Sequence, residues 1–376
     1  MTILKESAPH LRRKASVNRM MIDVLIALAP TLIFSFVVYP LKTLVDLVIS
    51  LFVMIASEFV FVGLKNMMPK DDKKHTFKER FLYSYKDKYD LTNFITPSIS
   101  AVIFTLIMPA GAPIYAVIIG ALVGIVFGKL VFGGLGSNIF NPAVVGMLFA
   151  KLCFGSQYLP YVDTWYYSFP SGLDVVASAT PLGLINGGML NGMYQYSLFD
   201  MFFGRIPGTL GEVYKITILI GLVYLLVRRS ADFRIVVSYL GTFALLIFVA
   251  GLSAYGLNQD FNPFYFVAYS LFSGGVLFGA TFMLTDPVTS PINRPSRIIY
   301  GMVAAVVTVF IRLFAALPEG VGFSILIANM IAPVLDHYEW SNPRYTWKKF
   351  LAMGLIIVVS SLTVWMVIYF GGIVNA

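Results

Sequence analysis

Cysteine is almost missing from this sequence: Cys153 is the one thiol in 376 residues. A disulfide framework is thereby excluded, and so is an iron–sulfur cluster built from this chain alone, because such clusters need several thiolates. Histidine is equally scarce. His10, His75 and His337 are scattered through polar segments without metal-ligand spacing, so no intrinsic metal centre is legible. Charge is the third shortage. Asp, Glu, Lys and Arg make up 12% of the chain, against roughly a quarter in a soluble domain.

What is present instead is apolar bulk. Hydrophobic residues make up 58% of the chain, and Phe, Leu, Ile and Val come in blocks too long and too frequent for a soluble core. A polytopic integral membrane protein is expected, with the lipid bilayer as its solvent. The basic excess, 27 Lys and Arg against 19 Asp and Glu, does not point to nucleic acid. These cations gather in a few loops between apolar runs, as the positive-inside rule expects. Met1 to Met20 is polar and basic, without a short apolar region followed by a small-residue cleavage site, so no cleavable signal peptide is expected.

A crossing needs about 20 mainly apolar residues, fewer where a helix is broken or re-entrant. That ruler predicts spans at 21–40, 42–64, 94–108, 113–131, 139–154, 211–227, 233–254, 264–284, 297–317, 321–335 and 350–372. The pieces 94–108, 139–154 and 321–335 are short, as half-helices would be. A cytoplasmic N-terminus puts inside Lys5, Arg12, Arg13, Lys14 and Arg19, and then the eight cations of 65–93. It also puts inside Arg228, Arg229, Arg234, Arg294, Arg297, Arg344, Lys348 and Lys349. Only Lys42 and Arg205 fall outside, while Lys129, Lys151, Lys215 and Arg312 lie within or at the edges of spans.

Five spans then stand on each side of the longest outer stretch, giving an inverted repeat of five plus five spans. Each half ends in a proline-interrupted segment, Asn141-Pro142 in the first and Asn329 with Pro333 in the second. The chain divides into a cytoplasmic N-terminal segment 1–20, a first membrane repeat 21–154, an outer loop 155–209, a second repeat 210–338, and a linker with one extra C-terminal span, 339–376.

Three motifs invite chemistry. In the run from Phe132 to Ala143, Gly133, Gly134 and Gly136 allow close backbone approach, and Asn138, Asn141 and Pro142 follow. Spacing alone leaves a tight turn opening a span as an equal reading. Lys129, just before it, either snorkels to the interface or neutralises an anion. In Thr285-Asp286-Pro287, Asp286 either binds a cation through carboxylate and freed carbonyls or ends a helix. Asp174 to Leu182, in the outer loop, reads as a turn with an ordinary threonine. Among the acids of the first two spans, Asp23 is expected to be wet, while Asp46 and Glu58 are candidates for a polar path or for helix-to-helix pairing.

Several blocks, in order, carry a resemblance. They are Ser7 to Arg12, Phe132 to Ala143, Arg228 to Arg234, Thr285 to Thr289, and Pro318 to Asp336. Together they resemble the family of the Rnf complex D subunit and NqrB, over roughly residues 7–338. The resemblance implies a urea-channel-like all-α fold in a bacterial inner (plasma) membrane. It also implies a subunit, not catalytically competent alone, that relays electrons inside an Na⁺- or H⁺-translocating ferredoxin:NAD oxidoreductase complex.

FMN esterified through its phosphate to a threonine is implied too, in a motif of the form Asp-x-x-Ser/Thr-Gly/Ala-Ala-Thr. Asp174, Ala179 and Thr180 match its frame, while Ala177 stands where Ser or Thr is usual and Ser178 where Gly or Ala is usual. Thr180 is then the acceptor, and Thr281, after Gly279-Ala280, the poorer one. Partners implied are the other membrane and flavin or iron–sulfur subunits of the Rnf complex and a flavin-attaching enzyme. A second flavin or riboflavin is an added expectation. Lys129, Gly133, Gly134, Asn138, Asn141, Asp286, Asp46 and Glu58 are the candidates for an ion or second-flavin path. The rival readings are a cofactor-free solute channel or secondary transporter of the same fold, and a structural anchor for redox partners.

Overall fold

In lipid the backbone must satisfy its own hydrogen bonds, so long apolar runs become helices. A computed structural model describes residues 17–65, 91–158, 180–182, 196–257, 262–315, 319–337 and 344–371. The helices are α1 (Val17–Val38), α2 (Pro40–Lys65), α3 (Leu91–Ile107), α4 (Ile114–Ile125), α5 (Pro142–Tyr158) and the short α6 (Leu198–Phe203). They continue as α7 (Lys215–Arg228), α8 (Phe233–Leu257), α9 (Pro263–Phe272), α10 (Val276–Phe278), α11 (Arg294–Phe314), α12 (Val321–Leu335) and α13 (Trp347–Gly371). Among the described residues the only β-type pairing is an isolated bridge between Pro109 and Thr209.

Each of the eleven predicted spans is occupied by helix, but they are not equally long. By length and composition α1, α2, α8, α11 and α13 can each cross a bilayer alone, while α3, α4, α5 and α12 are shorter apolar helices. The predicted continuous span 264–284 needs correction. It is α9 and α10 joined at a 64° bend, where Ser273 is extended and Gly274 takes φ +59°. Pro142 also differs from its expected role, since it opens α5, whereas Pro333 lies inside α12.

α2 shows how a lipid solvent reverses the usual pattern. Its inward face carries Lys42, Asp46, Ser50, Met54 and Glu58 at four-residue steps, which one face of a 3.6-residue helix aligns. Leu44, Val48 and Phe52 are exposed on the other side, as lipid-facing residues are.

Two helices loosen into π turns, with Val131 N–H donating to Val126 O and Leu284 N–H to Gly279 O, each at 2.9 Å. The first extends α4 through Val126–Leu130, the second extends α10 through Gly279–Met283. They place Lys129 and Thr281 on the walls of one cleft.

Helix packing repeats itself along the chain. In the first half α2 packs on α3 and α4, and α4 on α5; in the second, α8 packs on α9 and α11, and α11 on α12. The halves meet through equivalent elements, α1 against α7 and α5 against α12, and α13 lies on α8 and α11. Small residues set the closest approach in the first half, where a Cβ on Gly124 would lie 2.6 Å from Pro142 O, and one on Gly146 would strike Gly120 O. Gly146→Ala is therefore expected to destabilise the chain by about 1–3 kcal/mol through overpacking. A lowered melting midpoint in detergent checks it.

Candidate functional site

Two polar sites lie buried among these helices, one toward each end. The first is an open-mouthed cleft of about 680 Å³ walled by Ile99, Ile103, Leu225 and Phe282, with Lys129, Asn138, Asn141 and Asp286 among its polar lining. Lys129 does not snorkel. It is 2% exposed, donates to Thr96 Oγ1 at 2.8 Å, and lies 2.9 Å from Glu58 Oε2. That approach is off the hydrogen-bonding direction, so the pair is held by charge. Lys129 also interacts electrostatically with Asp286.

The glycine run forms a turn beside the cleft: Leu135 and Asn138 line it, while Gly133 and Gly134 do not. Gly133, Gly134 and Gly136 take φ values of +111°, +95° and +85°, a region that side chains make costly. Lys65 Nζ closes the turn on Gly133 O at 2.6 Å. Asn141 Oδ1 then caps α5 by accepting from Ala143 N–H at 3.1 Å. Asn138 donates to Phe140 O at 3.2 Å, but its buried Oδ1 has no partner among the described residues. Asp286 accepts from Val288 N–H at 3.1 Å and from the Thr289 hydroxyl at 3.4 Å, so it ends the broken helix and lines the cleft at once. Formal charges on Glu58, Lys129 and Asp286 sum to one negative, the sign that attracts a cation.

Asp46 is not part of this cleft. It stands twelve residues before Glu58 on α2, about 18 Å along the helix, where Lys42 Nζ donates to its Oδ1 at 2.7 Å and to Ala112 O at 2.5 Å. Asp23 is not wet either. It is 3% exposed and ties α1 to the far end of α7, accepting from Ser230 at 2.7 Å, Arg228 at 3.1 Å and Tyr224 at 3.2 Å. Between α7 and α8, burial opposes ionisation of Asp232, yet the Arg234 amide and the Arg297 guanidinium outweigh it and hold the carboxyl below its usual range.

Of the second site, only Thr180 was singled out from the sequence; its charged neighbours were not read as a site. Thr180, half-buried, borders a small pocket with Glu212, Lys215, Gly274 and Glu319. Its neighbours Pro181 and Leu182 are buried, and Tyr269 donates to Pro181 O at 3.0 Å. Lys215 donates to the carbonyls of Glu212 at 2.5 Å and Gly274 at 2.9 Å. Arg312 donates to Ser270 O at 2.9 Å and Ser273 O at 3.1 Å, while Lys151 pairs with Glu319. Charged residues inside apolar runs were the available signal, since an intramembrane charge is costly enough to mark function. Asp174, Ser178 and Ala179 lie outside the described residues. Thr281 is 1% exposed and donates to Leu277 O at 2.8 Å. Among the described residues no cluster of His, Cys, Asp or Glu suits a metal ion.

Membrane-length apolar helices, paired halves and buried ionic clusters define a polytopic α-helical membrane protein. Comparison with known proteins narrows the class. A family model described as NQR2, RnfD, RnfE matches residues 4–344, and the chain belongs to that family. It is 36% identical over 253 residues to the B subunit of the Na⁺-translocating NADH-quinone reductase of Chromohalobacter salexigens, covering 64% of this chain and 57% of that protein. The match is longer with the D subunit of the proton-translocating ferredoxin:NAD⁺ oxidoreductase complex of Clostridium ljungdahlii, 29% identical over 88% of this chain and 93% of that protein. The Na⁺-translocating counterpart from Acetobacterium woodii is 29% identical over 88% and 92%.

Proposed function

We propose that this chain is the membrane subunit of an ion-translocating ferredoxin:NAD oxidoreductase complex, relaying electrons through FMN esterified to Thr180. Support comes from the near full-length similarity to subunits named for that activity. The observation that carries the flavin part is the setting of Thr180, a half-exposed hydroxyl-bearing residue bordering a pocket with a buried lysine. These residues fit a phosphoester, which needs an oxygen acceptor and a neighbouring cation for its charge. FMN supplies one- and two-electron transfer when bound. The chain's residues hold it, while other subunits of the complex take electrons from ferredoxin and deliver them to NAD. The cleft at Lys129, Asn138, Asn141 and Asp286 is this chain's part of the ion or second-flavin path, and its net negative charge favours the cation.

The same reading sets the orientation. Lys65, Arg228, Arg234, Arg297 and Arg344 lie at or just beyond helix ends that the positive-inside rule puts on the cytoplasmic side, leaving Thr180 outside. Full-length chain co-expressed with its flavin-attaching enzyme should give a flavin-fluorescent band that survives denaturing electrophoresis, and a dark band refutes the covalent relay. Because Cys153 is exposed, labelling needs a Cys153→Ser background. There, cysteines at 74 and 344 should react with an impermeant reagent only from the cytoplasm, and cysteines at 172 and 376 only from outside. Reaction at position 74 in intact cells sinks the orientation.

A further inference from the structure

We infer that Lys215 binds the phosphodiester joining FMN to Thr180, an inference that rests on the reading of Thr180 as acceptor. Among the described residues lining the pocket beside Thr180, Lys215 is the one cation. It is 1% exposed, and a buried ammonium needs partners for all three of its N–H groups. Two go to carbonyls, Glu212 O and Gly274 O. The third has none among the described residues, and no carboxylate of those residues is within ion-pairing reach of it.

The surrounding charges are already committed elsewhere. Lys151 pairs with Glu319. Arg312 points both terminal nitrogens at the Ser270 and Ser273 carbonyls of the α9–α10 break. Glu212 packs under Gly275, where a Cβ would strike its carboxylate, so its position is fixed by the same break. Electrostatic interactions link Glu212 and Glu319 to Lys151, Lys215 and Arg312. Among the described residues, three cations stand against two carboxylates, a formal excess of one positive charge, with Lys215 and Arg312 the buried members. A dialkyl phosphodiester carries one negative charge and two free oxygens, which matches both that excess and the unused N–H.

The geometry also explains why a lysine stands here. Gly274, at φ +59°, turns its carbonyl to Lys215, and a Cβ there would lie 3.0 Å from the Arg312 guanidinium. The break thus aims one carbonyl at the ammonium, Glu212 O takes a second donor, and Lys215 itself lines the pocket. A rotating point charge suits a single phosphate oxygen better than a planar fork does.

The test uses the full chain co-expressed with its flavin-attaching enzyme. Peptide mass measurement comes first: absence of an FMN adduct on Thr180 removes the acceptor reading and this inference with it. With the adduct present, ³¹P–¹⁵N dipolar recoupling on protein labelled at lysine Nζ should dephase the flavin phosphodiester signal, and the dephasing should vanish in Lys215→Arg. Time-resolved anisotropy of the attached flavin gives a second readout. Lys215→Met should lose the slow component that reports an immobilised phosphate anchor, while Lys215→Arg keeps most of it. A phosphodiester undephased in the wild type overturns the role of Lys215 alone, even if the Met variant fails to accumulate. An unchanged anisotropy decay in Lys215→Met does the same.

Discussion

Lys129→Met should destabilise the chain by about 3–5 kcal/mol, because it strands a buried carboxylate. Glu58 is 1% exposed, and Lys129 is its partner at 2.9 Å. Removing the ammonium also takes the donor from Thr96 Oγ1 and the attraction that Lys129 exerts on Asp286. The methylene stem is kept in methionine, so lost packing contributes little. The companion variant Lys129→Met/Glu58→Met separates the two causes. Replacing both ions by apolar groups removes the stranded charge, and a buried pair exchanged whole is often neutral, so the double variant should recover most of the loss. Melting midpoints of the wild type, both single variants and the double variant in one detergent check this. A double variant as unstable as Lys129→Met would show that Lys129 acts through something other than its pairing with Glu58.

That ion pair shows where the sequence stops being readable. Lys42 and Asp46 stand four residues apart on one helix, so their contact follows from helical spacing. Glu58 and Lys129 are joined only by the packing of α2 against α4 and its π turn, and no local rule connects them. The same division runs through the fold. Long apolar runs marked where the membrane helices fall, because hydropathy acts locally and the bilayer tolerates little else, but not which of them are long enough to cross alone. Ser273-Gly274-Gly275 was a legible breaker inside 264–284, yet apolar residues on both sides disguised it as a continuous crossing.

The two candidate sites were legible to different degrees. Asn138 and Asn141 come from one block of the family resemblance and Asp286 from another, and the structure gathers them with Lys129 on one cleft. The charges beside Thr180 were visible only as awkward cations in or beside spans. Lys151, Lys215 and Arg312 lie on α5, α7 and α11, and only the α9–α10 break brings the last two onto neighbouring carbonyls. Sequence spacing carries no trace of such a meeting.

Thr180→Val should abolish covalent flavin altogether while leaving the fold in place. A phosphoester needs an oxygen nucleophile, and valine keeps the shape of threonine without the oxygen. Thr180 is half-buried and borders a pocket that the buried Lys215 ammonium also lines, so the residue combines partial exposure with a neighbouring positive charge. Thr281 lacks the first of these. It is 1% exposed and its hydroxyl is engaged with Leu277 O at 2.8 Å, inside a π turn at the wall of the central cleft. The substitution should cost little stability, because it removes one hydroxyl from a partly solvated residue. Thr180→Ser keeps the oxygen and should retain part of the adduct. Asp174→Ala should lower it if the attaching enzyme reads the residue six positions upstream. Peptide mass spectrometry of chain co-expressed with that enzyme decides the matter. Full adduct on Thr180 in the wild type and none in Thr180→Val, with both chains equally abundant in the membrane, is the expected result. An FMN-sized mass on Thr281, or an unmodified Thr180 in an electron-transferring complex, would move the attachment point elsewhere and leave the pocket at Lys215 without its phosphate.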